Sequence, residues 1–183
     1  LRAWRSVRFA ARLRFAMDDE LVAAAQDASV RSALALKVSR ERVGGELDLM
    51  LRSPDPVGAM RLLMNLQLVD TVFPIQQYLL RSSTSDGADK NKDNDDDTTT
   101  TITNKSKLLF TTGLELLSTA HDHLADCRWS PPLWCKRIDA SYGAVERTLL
   151  DDAESRRLLW YAAYLMPLHR QVAAEAASSG KQH

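Results

Sequence analysis

The stretch Leu1–Phe15, LRAWRSVRFAARLRF, decides how this chain is read. Arg2, Arg5, Arg8, Arg12 and Arg14 stand in it with no acid among them. At ~100° per helical residue, Arg2, Arg5, Arg8 and Arg12 fall within about a third of the circumference. Trp4, Val7, Ala10 and Ala11 turn the other way, with Ala3 beside them. One face is therefore guanidinium and the opposite face apolar. A row of permanently charged, forked donors suits a phosphate-bearing ligand. Composition alone favours a solvated helix face that pairs with acids elsewhere, since charge runs usually lie at the surface. The segments that follow decide between the two.

The chain has 183 residues, a hydrophobic fraction of 45% and zero formal net charge. That length accommodates one domain or two small helical ones. With no net charge, a case for nucleic-acid binding must rest on local charge, and the opening stripe is the densest basic region. Cys127 and Cys135 do not make a disulfide framework, so a reducing, intracellular location is expected, with cytoplasm, nucleus and mitochondrion equally open. No apolar run is long enough to span a membrane. The chain starts on Leu1 inside a patterned helix, without a cap, as if cut within that helix. An arginine-rich, acid-poor start resembles a mitochondrial transit peptide in composition. Trp4, Phe9 and Phe15, and the direct run into a patterned fold, argue against one.

Beyond the stripe, Asp18 or Asp19 caps a short helix, Leu21–Gln26, and Val30–Leu36 continues as helix or turn to about Lys37. Ser39 caps Arg40–Leu51, whose Val43, Leu47, Met50 and Leu51 face inward. Gly44 and Gly45 inside that helix mark a close approach of another backbone or a ligand. Ser53-Pro54-Asp55-Pro56 is a break, with Asp55 as cap and Pro56 at the first helical position. Val57–Leu66 then presents Met60, Leu63 and Met64 to a core. Leu68, Val69, Val72 and Phe73 follow and stop at Pro74. Nothing alternates with period two, so the fold class is all-α.

Ser82–Lys107, SSTSDGADKNKDNDDDTTTTITNKSK, has one Ile and no other large apolar residue. It cannot offset its ordering entropy and reads as a disordered insertion. Asp93, Asp95, Asp96 and Asp97 lack the alternation, central Gly and terminal Glu of a calcium loop. Helix resumes over Leu108–Ala125, with Leu109, Leu114, Leu117 and Leu124, and ends at Trp129-Ser130-Pro131-Pro132. Leu133–Leu150 holds one or two shorter helices. Asp151-Asp152 caps a long helix from Ala153 to about Val172, with Leu158, Leu159, Tyr161, Ala162 and Leu165 on its apolar side and Pro167 kinking or ending it. The expected organisation is a helical module at 1–81, the insertion at 82–107, a second module at 108–172 and a fraying tail at 173–183.

Catalytic constellations are missing. His121-Asp122 has the dipeptide of metal-dependent phosphohydrolases, but no histidine precedes it. For His121, His123, Cys127 and Cys135, spacing favours surface histidines and buried thiols over a zinc site, since residues two apart on a helix diverge. There is no phosphate-cradling Gly loop and no Ser–His–Asp set. No carboxylate pair lies on a strand, as two-metal nucleotidyl transfer requires. The chain is therefore expected to bind no metal and to have no catalytic centre of its own.

Three ordered elements carry a family resemblance: R-x-x-R-F-A-A-R at Arg5–Arg12, S-R-E-R-x-x-x-E-L at Ser39–Leu47, and the S-P-x-P break at Ser53–Pro56 with V-F-P at Val72–Pro74. Over Leu1–Pro74 the chain resembles the neck of class II CCA-adding enzymes (tRNA nucleotidyltransferases) and the related bacterial poly(A) polymerases. That family adds nucleotides to an RNA 3′ end without a template. The resemblance implies a catalytic head preceding the neck, with a G-G-x-V-R-D loop and a D-x-D pair for two magnesium ions; neither motif occurs here. ATP, CTP and Mg²⁺ are thus implied for a whole enzyme, not for this chain.

In the family's E-D-x-x-R motif, Arg2 matches the arginine that reads the incoming base, and Arg5, one turn on, would lie near the triphosphate or the paired acid. Arg8 and Arg12 become phosphate or ion-pair candidates. Ser39, Arg40, Glu41, Arg42 and Glu46 fall in the helix-turn motif that supports the neck. Gln67 occupies a turn where relatives often have Gly, implying a left-handed residue. Arg156–Leu168, RRLLWYAAYLMPL, is similar to an aromatic helix in the body of the eukaryotic branch. The implied partners are the tRNA 3′ end and the head domain. Poly(A) addition, or a headless RNA- or protein-binding helical module, are the alternatives.

Overall fold

Short polar side chains start most of the helices. In the computed structural model, which describes residues 1–84, 95–129 and 152–179, the order is α1 (Arg2–Leu13), α2 (Asp19–Gln26), α3 (Ala28–Lys37), α4 (Arg40–Leu51), α5 (Pro56–Asn65), α6 (Val69–Val72), α7 (Ile75–Thr84), α8 (Asp95–Trp129) and α9 (Ala153–Ser179). The described residues contain no strand, as expected of an all-α chain. Asp18 accepts from the Glu20 amide at 3.0 Å, and Asp27 from the Ser29 amide at 2.7 Å. Ser39 accepts from the Arg42 amide at 3.4 Å, and Asp152 from the Ser155 amide at 2.8 Å. At Asp27 the Ser29 hydroxyl and the backbone amides hold the carboxyl below its usual range, and Ser155 does the same for Asp152.

Asp55 accepts from the Gly58 amide at 2.7 Å, with Pro56 opening α5. A Cβ at Gly58 would stand 2.2 Å from Asp55 Oδ2, so this cap requires glycine three residues on. Asp55→Ala is expected to cost about 1 kcal/mol, a fall in melting temperature of about 2–4 °C for a chain of this size. An unchanged melting curve would remove the cap from the account.

Two turns use left-handed residues. Arg14 (φ 56°) closes α1, with the Phe15 amide donating to the Ala10 carbonyl at 3.0 Å. Gln67 (φ 55°) closes α5, with the Leu68 amide donating to Leu63 at 2.9 Å. The first was not foreseen; the second is where the family's glycine turn placed it.

One cluster of buried side chains runs through the described helices. Trp4, Val7 and Ala11 of α1 meet Val43, Leu47 and Met50 of α4 and Met60 and Leu63 of α5. Phe110, Leu117 and Leu124 of α8 join them, with Trp160 and Tyr164 of α9. Helices α8 and α9 pack closely: a Cβ on Gly113 would lie 2.4 Å from the Tyr164 carbonyl oxygen. Phe73, Phe110 and Tyr164 gather beside that crossing, with ring centroids 6.0–6.5 Å apart. A ring of charges ties α4 to α9. Asp48 pairs with Arg52 at 2.9 Å and with Arg157 at 2.6 Å, and both arginines reach Glu154, at 2.9 and 2.8 Å.

The structure corrects several expectations. The insertion was placed at 82–107, yet residues 95–107 are helical. Ile102 and Ser106, four apart, extend the buried face that continues through Phe110. Their hydroxyl neighbours bond back along the helix, Thr103 to the Thr99 carbonyl and Ser106 to the Thr103 carbonyl, both at 2.9 Å. Residues 85–94 lie outside the described residues, as does the expected helical stretch Leu133–Leu150. Pro74 stops α6 but also starts α7, whose Leu79 is buried. Helix α9 passes through Pro167 and reaches Ser179, so 173–179 is helix; its alanines are strong helix formers. On α9 the expected Leu159, Tyr161 and Leu165 pack against the core, but Leu158 (59% exposed) and Ala162 face outward, and Trp160, Ala163 and Tyr164 are buried. LLWYAAYL is apolar on every side, so its phase was ambiguous. Gly44 and Gly45 have nothing within 4 Å of a built Cβ, so no part of the described chain approaches them closely.

Candidate nucleic-acid interface

Helix α1 buries Trp4, Val7, Ala10 and Ala11 and leaves the arginine side outward, as the periodicity required. Arg2, Arg5, Arg12 and Arg14 are exposed and Arg8 is half-buried. The face is not loose. Glu46 of α4, 7% exposed, lies under it. Arg5 donates through Nε to Glu46 Oε1 at 3.0 Å, and Arg8 through Nε to Oε2 at 2.9 Å. One carboxylate so orients two forks, each by a single nitrogen.

The Arg5 side chain is 57% exposed and the Arg8 side chain 15%. The Arg8 guanidinium also sits 4.3 Å from the ring centroid of Phe9, which is 46% exposed. Two positive charges on one negative leave the cluster cationic, which suits a phosphate. Arg2 and Arg12 flank it on the same helix.

The second motif divides by role. Ser39 caps α4 and Glu46 holds the arginines, while Arg40, Glu41 and Arg42 are exposed. The motif had placed Glu46 among the neck-supporting residues, but not against Arg5 and Arg8. Those contacts span 41 and 38 positions in the chain. Elsewhere, His121 Nδ1 lies 3.4 Å from Asp122 Oδ1 and its ring lies 5.7 Å from that of Trp160. No group of three His, Cys, Asp or Glu among the described residues could hold a metal ion. Cys135 lies outside those residues. No helix among them is long and apolar enough to cross a membrane.

Residues 14–80 match the family model described as the probable RNA and SrmB-binding site of polymerase A. The chain is 38% identical over 73 residues to the mitochondrial CCA tRNA nucleotidyltransferase of Saccharomyces cerevisiae, covering 40% of this chain and 13% of that protein. It is 40% identical over 73 residues to a tRNA nucleotidyltransferase of Schizosaccharomyces pombe, covering 40% and 15%. A nucleotidyltransferase of Purpureocillium lilacinum is 46% identical over 56 residues, covering 31% and 9%. The matched segment thus spans a small part of each relative's length. No solved structure matches the chain significantly.

Proposed function

From the premise that residues 14–80 carry the neck region of the CCA-adding and poly(A) polymerase family, we propose that this chain is the helical RNA-binding part of a tRNA nucleotidyltransferase. Residues 1–81 form the neck and the helices after the insertion form the body. Arg2 takes part in choosing the incoming CTP or ATP by its base edge, Arg5 lies toward the triphosphate, and Arg8 and Arg12 serve phosphate contact. The observation that carries this reading is the exposed guanidinium face of α1, held in register by the buried Glu46 carboxylate.

Mg²⁺ and the reacting carboxylates belong to a head domain in this reading. The described acids do not form a metal-holding group, so no step through the ion is assigned to this chain. Its residues bind, orient and select. The family model's description favours poly(A) addition as a second reading. Sequencing the tails added by a head-bearing form separates the two, a three-nucleotide CCA end against a long A run. A headless binding module would add neither.

The test of RNA binding needs only this chain. Titration with tRNA lacking its 3′ end should show affinity that falls steeply with salt. Arg5→Gln and Arg12→Gln should each lower the logarithmic salt slope by about 1, with an unchanged melting curve for Arg12→Gln and a lowered one for Arg5→Gln, which takes one partner from the buried Glu46 carboxylate. In a head-bearing form, Arg2→Ala should erode the choice between CTP and ATP more than it erodes stability. Salt-independent binding, or slopes that ignore the arginines, would refute the interface.

A further inference from the structure

Helix α1 carries two exposed apolar side chains on its charged side. Phe9 is 46% exposed and Leu13 is 50% exposed. At ~100° per residue, Phe9 lies between Arg2 and Arg5 around the helix, opposite the buried Trp4, Val7, Ala10 and Ala11. Arg5 stands four residues before Phe9 and Arg12 three residues after it, so both are its neighbours on the helix surface. The Arg8 guanidinium sits over the ring, 4.3 Å from its centroid. Arg8 is bonded in turn to the buried Glu46 at 2.9 Å, so the group that backs one face of the ring is held in place.

An aromatic ring set among guanidinium groups asks for a ligand that is flat and apolar at one point and anionic beside it. A protein partner would have to match one ring with a pocket and the surrounding arginines with several acids. A single strand of RNA meets both demands within one nucleotide, through its base and its phosphate. Stacking on an exposed aromatic ring beside a basic groove is the general means of holding unpaired bases. Resting on the RNA-binding reading above, we propose that Phe9 is a stacking platform for one unpaired base of the bound RNA, with Arg12 on an adjoining phosphate. Bases inside a duplex are already stacked on both faces, so the platform takes single-stranded RNA. Every base has a π-face, so its preference among bases is weak.

Short single-stranded oligocytidylate tests the platform without a folded RNA. Phe9→Ala should weaken its binding to this chain about tenfold, within what the stacking of one base contributes. Phe9→Trp should bind at least as tightly as the unaltered chain. Phe9→Leu keeps an apolar side chain without a π-face and should fall with Phe9→Ala. None of the three should change the logarithmic salt slope, because no cation is removed, whereas Arg12→Gln lowers it. With the unaltered chain, oligocytidylate carrying 5-iodocytidine should crosslink on irradiation to the tryptic peptide Phe9–Arg12, which decides the matter should a variant not fold. Full affinity in Phe9→Leu, crosslinks that leave that peptide unlabelled, or binding of tRNA without binding of oligocytidylate would each overturn the platform and leave the RNA-binding reading standing. A chain that binds neither RNA would overturn the RNA-binding reading itself.

Discussion

Trp4→Ala removes about 3–5 kcal/mol of stability, the largest effect expected of any single change discussed for this chain. Trp4 is 0% exposed and packs where α1 meets α4 and α5. Total stability for a domain is commonly 5–15 kcal/mol, so the loss leaves a substantial unfolded fraction. Its Nε1 is buried without a partner, so Trp4→Phe loses volume but also an unsatisfied N–H, and should cost much less than Trp4→Ala. Urea unfolding followed by circular dichroism measures both. RNA affinity should fall together with stability in Trp4→Ala, whereas Arg12→Gln loses affinity alone. A loss under 1 kcal/mol would mean that α1 is not anchored by its apolar face.

Glu46→Ala has the second-largest effect, and it acts on two quantities. Removing one partner of a buried ion pair costs ~3–5 kcal/mol. Arg5 is largely exposed and keeps its water, so the cost is discounted to about 2 kcal/mol. Local positive charge rises by one unit at the same time. Affinity for any RNA should therefore hold or increase, while the preference for tRNA over an unrelated RNA of equal length shrinks about tenfold, as the two forks lose their common anchor. Glu46→Gln keeps one acceptor and should restore part of the stability. Competition binding at fixed salt measures the preference; an unchanged ratio would make Glu46 a stabilising residue only.

How far these features were legible depends on their range. The buried side of α1 follows from a 3.6-residue period over twelve positions, and Trp4, Val7, Ala10 and Ala11 are buried together. The caps at Ser39 and Asp55 follow from a short polar residue ahead of an apolar helix. The clamp on Arg5 and Arg8 was not legible, because any of several acids in the first half had the right charge. The start of α8 was hidden by its composition; only its packing against α7 and α5 gives Ile102 and Ser106 a reason to be ordered. The side of α9 that turns inward was read only in part, with Trp160, Ala163 and Tyr164 missed, because its apolar residues surround the helix.

Glu46 and Asp48 stand two residues apart on α4. The first holds Arg5 and Arg8 of α1, and the second holds Arg157 of α9. A single helical turn is thus gripped from both sides. Helix α9 cannot slide along α4 without breaking the bonds of Asp48 or dragging the carboxylate that aims the α1 forks. The position of α9 is thereby geared to the aim of the arginines, and that gearing runs through one turn of backbone.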